Sequence, residues 1–128
     1  MQNYSRFTIN RSLIVLLPKQ PVLDWLKQVD PDSSELTLAE IRREPDAFLV
    51  PHGEMELTDD AERWVSQRWK MFFERYLEDW YTAESYWPKN RTQKMFKEWF
   101  EIQFLPTVWD FSDEPVLHED WDQIGLDD

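Results

Sequence analysis

The sequence predicts an α+β domain: a small three-stranded, at least partly parallel sheet with amphipathic helices packed on it. The apolar run from Leu13 to Leu17 is too short for a buried helix and indicates a strand that is covered on both faces. Two other short apolar segments are separated from it, and from each other, by helical patterns. Strands separated in this way favour parallel pairing through a right-handed crossover. The predicted order is β-α-α-β-α-α-β.

The first half of the chain supplies two strands and two helices. The turn Pro18-Lys19-Gln20-Pro21 ends the first strand, and a short amphipathic helix follows until Asp30-Pro31 stops it. Thr37 and Glu40 form a capping-box pattern that opens a second, shorter helix. The segment Asp46–Val50, before Pro51, is predicted to be the second strand. Ahead of these elements, Tyr4–Ile9 alternates weakly and is predicted to extend the first strand or to lie along its edge.

The second half begins with the longest predicted helix, which Thr58 or Asp59 caps and which continues to about Trp80. Its apolar stripe is wider than one small sheet requires, so we expect it to contact both the sheet and another helix. The stripe comprises Ala61, Val65, Trp69, Phe72, Tyr76 and Trp80. A further helix is predicted from about Arg91 to Glu101, and a third strand at 107–111.

The length of 128 residues predicts one globular domain, which we place at 1–111, followed by an acidic C-terminal tail at 112–128. The tail contains seven acids and no base, whereas the whole chain has a net charge of −12. In the tail, Leu117, Trp121 and Ile124 recur at helical spacing, so a short helix there could dock on the domain.

Composition excludes several functional classes. The chain has no cysteine, which removes thiolate catalysis, cysteine-based zinc sites and disulfides. Its two glycines cannot form a glycine-rich phosphate loop. Net acidity disfavours non-specific attraction to nucleic acid or to an anionic membrane, and no apolar run has membrane-spanning length. We therefore predict a cytoplasmic protein that binds neither nucleic acid nor membrane.

Three stretches resemble a family of small, acidic, uncharacterised bacterial proteins. They are Ser12–Leu26, with its Leu-Leu-Pro-Lys-Gln-Pro sequence, Trp80 to Pro88, and Phe96–Phe100. The resemblance covers most of residues 11–115. It implies a single bacterial cytoplasmic domain, and it brings no activity, cofactor or functional residue with it.

A turn between a buried strand and a helix is a place where ligands collect, because backbone N–H groups and the helix dipole point there. Lys19 and Gln20 occupy this turn and are candidate contacts for a small anion or a partner. The alternative is that Lys19 is an exposed turn residue and that Gln20 caps the helix.

The strongest positive cluster consists of Lys89, Arg91, Lys94 and Lys97, preceded by two aromatic residues. We predict that Arg91, Lys94 and Lys97 contact an anion, a partner or the protein's own acidic tail. The alternative is a solvated helix face. Basic residues beside aromatics can bind single-stranded nucleic acid, but the overall negative charge opposes that function.

No pattern predicts a catalytic residue, a metal site or a cofactor. His52 and His118 each stand beside acids, in a loop and in the tail, and neither setting provides the rigid set of three or four ligands that a metal requires. No nucleophile elbow can be built, and paired carboxylates are expected from composition alone. The sequence therefore favours a protein that is not an enzyme.

The surplus of aromatic residues, 16% of the chain, favours a protein interface, because aromatic side chains anchor buried interface centres. The leading hypothesis is a protein–protein interaction module or homodimer. Two alternatives stay open: an acidic inhibitor or immunity-type protein that covers a basic partner, and an enzyme or binder acting on a small anionic ligand near Lys19.

Overall fold

The computed structural model of the chain describes residues 5–121. In this part of the chain the strands are β1 (Phe7–Thr8), β2 (Arg11–Pro18), β3 (Ala47–Pro51), β4 (Phe100–Leu105) and β5 (Trp109–Asp110). The helices are α1 (Gln20–Val29), α2 (Leu38–Ile41), α3 (Thr58–Gln67), α4 (Trp69–Trp80) and α5 (Gln93–Trp99). Two single 3-10 turns, Pro31–Ser33 and Glu84–Tyr86, connect neighbouring helices. The fold class is α+β.

The main sheet has the strand order β3-β2-β4, and both pairings are antiparallel. Leu13 of β2 lies opposite Leu49 on one side and Leu105 on the other. The predicted parallel pairing is therefore wrong. The apolar run Leu13–Leu17 does form the central strand, as the sequence indicated.

The connection between β2 and β3 explains why these two strands run antiparallel. One helical crossing of a sheet returns the chain to the start of the first strand and gives a parallel pair. Here α1 makes one crossing, and the segment with the 3-10 turn and α2 then leads the chain back. As a result Ala47, at the start of β3, lies opposite Val15 near the end of β2, and Pro51 lies opposite Arg11. Two crossings give an antiparallel pair.

The third strand is also misplaced in the prediction. The helix expected at 91–101 is the shorter α5, and at Phe100 the chain turns directly into β4. Residues Trp109–Asp110 of the expected strand at 107–111 form β5, which pairs with β1 in a separate two-stranded ribbon. The ribbon also settles the position of the N-terminal segment, because Phe7–Thr8 pairs with β5 and not with β2.

The predicted long helix is interrupted. α3 ends at Gln67, Arg68 adopts φ −117° and ψ 25°, and α4 begins at Trp69. The sequence contains no glycine or proline at this break, and the apolar pattern continues across it. The break was therefore not predicted. As expected, the helical pair contacts more than the sheet, since Phe73 of α4 packs on Phe96 of α5, with ring centroids 5.9 Å apart.

One face of the main sheet carries the core. Alternate residues of the strands point to this face and contact the helices: Ile14, Leu16, Phe48, Val50, Phe100 and Ile102. Phe73 is fully buried and packs on Trp99 and Phe100, with ring centroids 5.5 and 5.4 Å apart. Phe72, beside it, packs on Phe48. The aromatic stripe is therefore mostly core.

The ribbon continues the β2–β4 ladder with a shift of one residue. The main ladder pairs Leu13 with Leu105, and the ribbon begins where the Ile9 amide donates to the Val108 carbonyl at 3.1 Å. Between these two pairings the first strand contains one more residue than the second, which is the definition of a β-bulge. Pro106 lies at this point and has no N–H to continue the ladder.

Of the three apolar residues that were expected to dock a tail helix, Leu117 and Trp121 are largely exposed, and Ile124 lies outside the described residues. None of the helices in residues 5–121 is long and apolar enough to cross a membrane.

Candidate functional site

Within residues 5–121, no helix covers the face of the main sheet that points away from the core. Along β2 the half-buried residues Leu13 and Val15 alternate with fully buried ones, as expected for a strand with one face toward the core. On the two edge strands, Leu49 is 51% exposed and Leu105 is 47% exposed. We call Leu13, Val15, Ala47, Leu49 and Leu105 the outer sheet face.

The ribbon extends this apolar surface. Trp109 and Phe111 are exposed, and their rings contact each other edge to face, 6.2 Å apart. Both have the same parity as Leu105, so we expect them on the side of the outer sheet face. Phe7 of β1 is exposed as well, but it lies opposite Asp110 and therefore points to the other side of the ribbon from Trp109. Trp109 and Phe111 are called the aromatic ribbon.

Charge is sparse on the outer sheet face. Glu101 is the neighbour of Leu17 across the sheet, and its carboxylate pairs with the Arg42 guanidinium at 3.2 Å. Arg42 also donates to the Pro18 carbonyl at 2.8 Å, which holds it at this end of the face. At the other end stands Arg11. The face is thus close to neutral in a chain that carries −12 overall.

Lys19 and Gln20 occupy the start of α1, as predicted. The Lys19 amine donates to the carbonyl of Lys97 at 3.1 Å, and the Gln20 amide donates to Asp24 at 2.9 Å. The backbone N–H of Lys19 donates to Trp99, and Pro21 has no N–H. The backbone donors that make a helix start attractive to anions are therefore mostly used or missing.

The three predicted basic residues have different surroundings. Arg91 donates to the Pro88 carbonyl at 2.8 Å, lies 5.4 Å from the Trp87 ring centre and approaches Glu74 at 3.9 Å. Lys94 is exposed on α5. Lys97 lines a cleft that also contains Lys19. The structure thus brings together Lys19 and Lys97, which the sequence had assigned to two separate sites.

This cleft, about 660 Å³ in volume, lies where the edge strand β4 meets α3, α5 and the start of α1. We call it the β4 cleft. Its apolar wall consists of Val65, Phe96, Phe100 and Ile102; its polar wall consists of Lys19, Glu62, Arg63, Ser66, Gln67, Gln93, Lys97 and Glu101. The residues from α3 were not predicted. The only sequence feature that could have indicated them is a polar stripe at helical spacing. It consists of Glu62, Arg63, Ser66 and Gln67.

An aromatic groove joins α1 to the segment at 84–89. The indole N–H of Trp25 donates to the Tyr86 carbonyl at 3.0 Å, and that of Trp87 donates to the Tyr81 carbonyl at 2.7 Å. Both indoles are buried. Because the indole N–H groups already have partners, these tryptophans have a structural role. The Trp25 bond connects α1 to the segment at 84–89, and the Trp87 bond connects that segment to the end of α4.

His52 contacts a buried serine. Ser12 Oγ donates to the Pro106 carbonyl at 2.9 Å and lies 3.2 Å from His52 Nδ1, which is itself 3.1 Å from that carbonyl. Ser12 has no exposed surface, so its hydroxyl cannot reach a substrate. The cluster ties β2, the end of β3 and the bulge together. Among residues 5–121, no group of three or more His, Asp or Glu side chains is placed to hold a metal ion.

A shallow hollow of about 190 Å³ holds the carboxyl pair Asp46 and Asp79 beside Tyr76. Burial, and then the hydrogen bond and charge of Asp46, raise the pKa of Asp79 to about 6, although Arg75 opposes the shift. Burial also raises the pKa of Tyr76 to about 12, although the nearby Trp80 side chain opposes the shift.

Comparison of the chain with protein families, with curated proteins and with solved structures gives no match. The resemblance to small acidic bacterial proteins therefore stays a prediction. Function has to be argued from the surfaces themselves.

Proposed function

We propose that this protein is a protein-association module that pairs with a second copy of itself through the outer sheet face and the aromatic ribbon. The observation that carries the proposal is the row of apolar side chains Leu49, Leu13 and Leu105 across the three strands, in which both edge leucines are exposed. Trp109 is exposed on the segment that follows β4. Exposed apolar patches of this kind mark interaction sites in proteins that are otherwise polar on the surface.

The charge of the face favours a second copy as the partner. A twofold interface brings each surface patch against itself, so any unpaired charge on it meets its own copy or a near neighbour. The centre of the outer sheet face avoids this cost, because Glu101 is paired with Arg42 and Arg11 stands at the far end. An acidic inhibitor of a basic protein would instead need free carboxylates on the contacting surface, and the described residues of this face offer none.

The area of the outer sheet face sets the expected affinity of the dimer. Three strands paired over about five residues cover roughly 17 by 14 Å, or about 240 Å², which is well below the roughly 800 Å² per partner of a standard interface. The aromatic ribbon is therefore needed to enlarge the contact. A surface at this lower limit predicts a dimer with a dissociation constant in the micromolar range.

The chain contains no cysteine and needs no oxidising compartment to fold. We accordingly assign this function to the cytoplasm.

The test is the oligomeric state of the full chain as a function of concentration, measured by analytical ultracentrifugation. We expect a monomer–dimer equilibrium that Leu49→Glu abolishes, because two copies of the new carboxylate would be buried opposite each other. The matched control is Leu57→Glu, at an exposed leucine that precedes α3 and lies off the sheet. It should leave the equilibrium unchanged.

Two results would contradict the proposal. One is a wild-type chain that stays monomeric at several hundred micromolar. The other is an equal effect of the two substitutions, with far-ultraviolet circular dichroism showing both variants folded. In the first case, capture of a basic protein that Leu49→Glu does not affect would favour the acidic-inhibitor alternative.

A further inference from the structure

The β4 cleft has the size and the composition of a small-molecule site. Clefts of roughly 300–1,000 Å³ with an apolar wall and a few convergent polar groups are typical of ligand pockets, and this one measures about 660 Å³. It lies at a strand edge and does not include the outer sheet face. Ligand binding in this cleft can therefore be tested independently of dimer formation.

The charged groups of the cleft are unequally matched. Arg63 pairs with Asp60 at 3.5 Å, and Glu101 pairs with Arg42 at 3.2 Å. Within residues 5–121, neither Lys19 nor Lys97 has a carboxylate within 4 Å of its amine. Glu62 also lines the cleft and has no cation within 4 Å in this part of the chain. The cleft therefore holds two unpaired cations and one unpaired carboxylate in a strongly acidic protein.

The Lys19 amine is held in place. Its bond to the Lys97 carbonyl fixes it at the C-terminal turn of α5, where the helix dipole favours a positive charge. An ammonium group has three donors, so two remain for a ligand. The site therefore has at least one positioned cation that does not need to be ordered when an anion binds.

A second, independent observation comes from α3. Ser66 is only 8% exposed, lines the cleft and has a hydroxyl without a hydrogen-bond partner in the described part of the chain. A buried polar group without a partner costs free energy, and native proteins rarely leave one without a reason. A rotation about the Cα–Cβ bond of Ser66 would present this hydroxyl to a ligand in the cleft.

The backbone argues against phosphate. Phosphate sites at helix starts use several free backbone N–H groups. At the start of α1, Pro21 has no N–H, and the N–H groups of Lys19 and Val22 donate to Trp99 and Lys19 carbonyls. Recognition must come from side-chain amines, which bind a single charged group as point charges.

We propose that the β4 cleft binds a small organic carboxylate with an apolar body. The carboxylate is bound by the amines of Lys19 and Lys97, and the apolar body packs on Phe96, Phe100 and Ile102. The Ser66 hydroxyl donates to the ligand when it is bound.

The test uses 4-phenylbutanoate as a probe and isothermal titration calorimetry on the full chain. Three comparison compounds separate the contributions: the neutral 4-phenylbutanamide, the cationic 4-phenylbutylamine and inorganic phosphate. We expect saturable binding of the carboxylate and much weaker binding of the other three.

Substitutions test the placement. Lys97→Gln should weaken binding about tenfold, as loss of a hydrogen bond to a charged group typically does. Lys94→Gln makes the same charge change on the same helix, outside the residues that line the cleft, and should have little effect. Ser66→Ala should weaken binding while leaving the stability of the ligand-free protein unchanged or higher, because it removes an unpaired buried hydroxyl.

The proposal is overturned if the carboxylate shows no saturable binding at millimolar concentration, or if the amide, the amine or phosphate binds as tightly. Equal effects of Lys94→Gln and Lys97→Gln would overturn it too. None of these outcomes depends on whether the protein forms a dimer.

Discussion

Asp79 shows how the neighbours of one side chain set its titration. The hollow around it removes part of its hydration, and the facing carboxyl of Asp46 disfavours a second negative charge, so the pKa of Asp79 rises to about 6. Arg75 binds the same carboxylate and limits the shift. The folded protein therefore retains a proton on Asp79 at pH values where the unfolded chain has lost it.

This difference predicts a dependence of stability on pH. The ordinary pKa of Asp79 is 3.8 and the folded value is about 6, so the group's favourable contribution is complete below pH 4. It is lost as the pH rises from 4 to 6. Because the Asp79 side chain is 37% exposed, we expect a loss of less than about 1 kcal/mol. Urea denaturation followed by tryptophan fluorescence at several pH values measures it.

Asp79→Asn should remove this fall in stability between pH 4 and 6. Glu78→Gln is the matched control, because it also deletes a carboxylate that binds Arg75, at 2.9 Å, but it leaves the pair with Asp46 intact. If both variants follow the wild-type profile, the carboxyl pair does not control the titration.

Ser12 provides a second test at the level of single residues. Its hydroxyl is fully buried and donates to the Pro106 carbonyl beside the bulge. Ser12→Ala should lower the free energy of unfolding by about 1 kcal/mol, the usual value of such a bond. Ser34→Ala, at an exposed serine, should change it much less. An unchanged urea midpoint for Ser12→Ala would show that His52 alone satisfies the carbonyl.

At the level of elements, the junction of α5 and β4 is where the sequence was least informative. The apolar residues Phe96, Trp99 and Phe100 continue at helical spacing, and no glycine or proline interrupts them. What ends the helix is tertiary: the Lys19 backbone N–H donates to the Trp99 carbonyl, and Phe100 then pairs with Pro18. Such contacts join residues far apart in the chain, so a local pattern cannot show them.

The elements with clear local signals were predicted well. The capping box of Thr37 and Glu40 is present, with both reciprocal bonds formed. The central strand and the segment at 47–51 lie where their apolar runs place them. Strand direction was not predictable in this way, because it depends on how many times the connection crosses the sheet. Nor was the β4 cleft, whose residues come from the N-cap of α1 and from α3, α5 and β4.

The cap of α5 can be tested directly. Thr92 Oγ1 accepts a hydrogen bond from the Met95 N–H at 3.1 Å and begins a helix of only seven residues. Thr92→Ala should cost about 1 kcal/mol of stability. In this variant, the rate of amide hydrogen exchange should increase more in α5 than in the other helices. Thr82→Ala, at an exposed threonine outside any helix, is the control. Loss of stability without faster exchange in α5 would contradict a capping role.

At the level of the whole molecule, the net negative charge destabilises the compact folded state. A net charge of −12 on 128 residues makes the folded state repel itself, and salt screens that repulsion. Raising sodium chloride from low concentration to physiological strength should therefore stabilise the protein. A gain of about 1 kcal/mol corresponds to an increase in the thermal midpoint of roughly 4 °C for a domain of this size. Potassium chloride should act equally, and a falling midpoint would contradict the prediction.

The antiparallel ladder between β2 and β4 also constrains the order of events during synthesis. Leu13 pairs with Leu105, and Phe7 pairs with Asp110. One edge of β2 can pair with β3 early, but its other edge and β1 wait for almost the entire chain to leave the ribosome. Contacts between such distant residues slow folding and prolong the lifetime of incomplete states. During that time the nascent chain exposes one edge of the apolar run Leu13–Leu17, which is the kind of segment that adds to other strands. Arg11, Pro18 and Lys19 flank that segment as gatekeepers, since charge and proline both discourage strand addition.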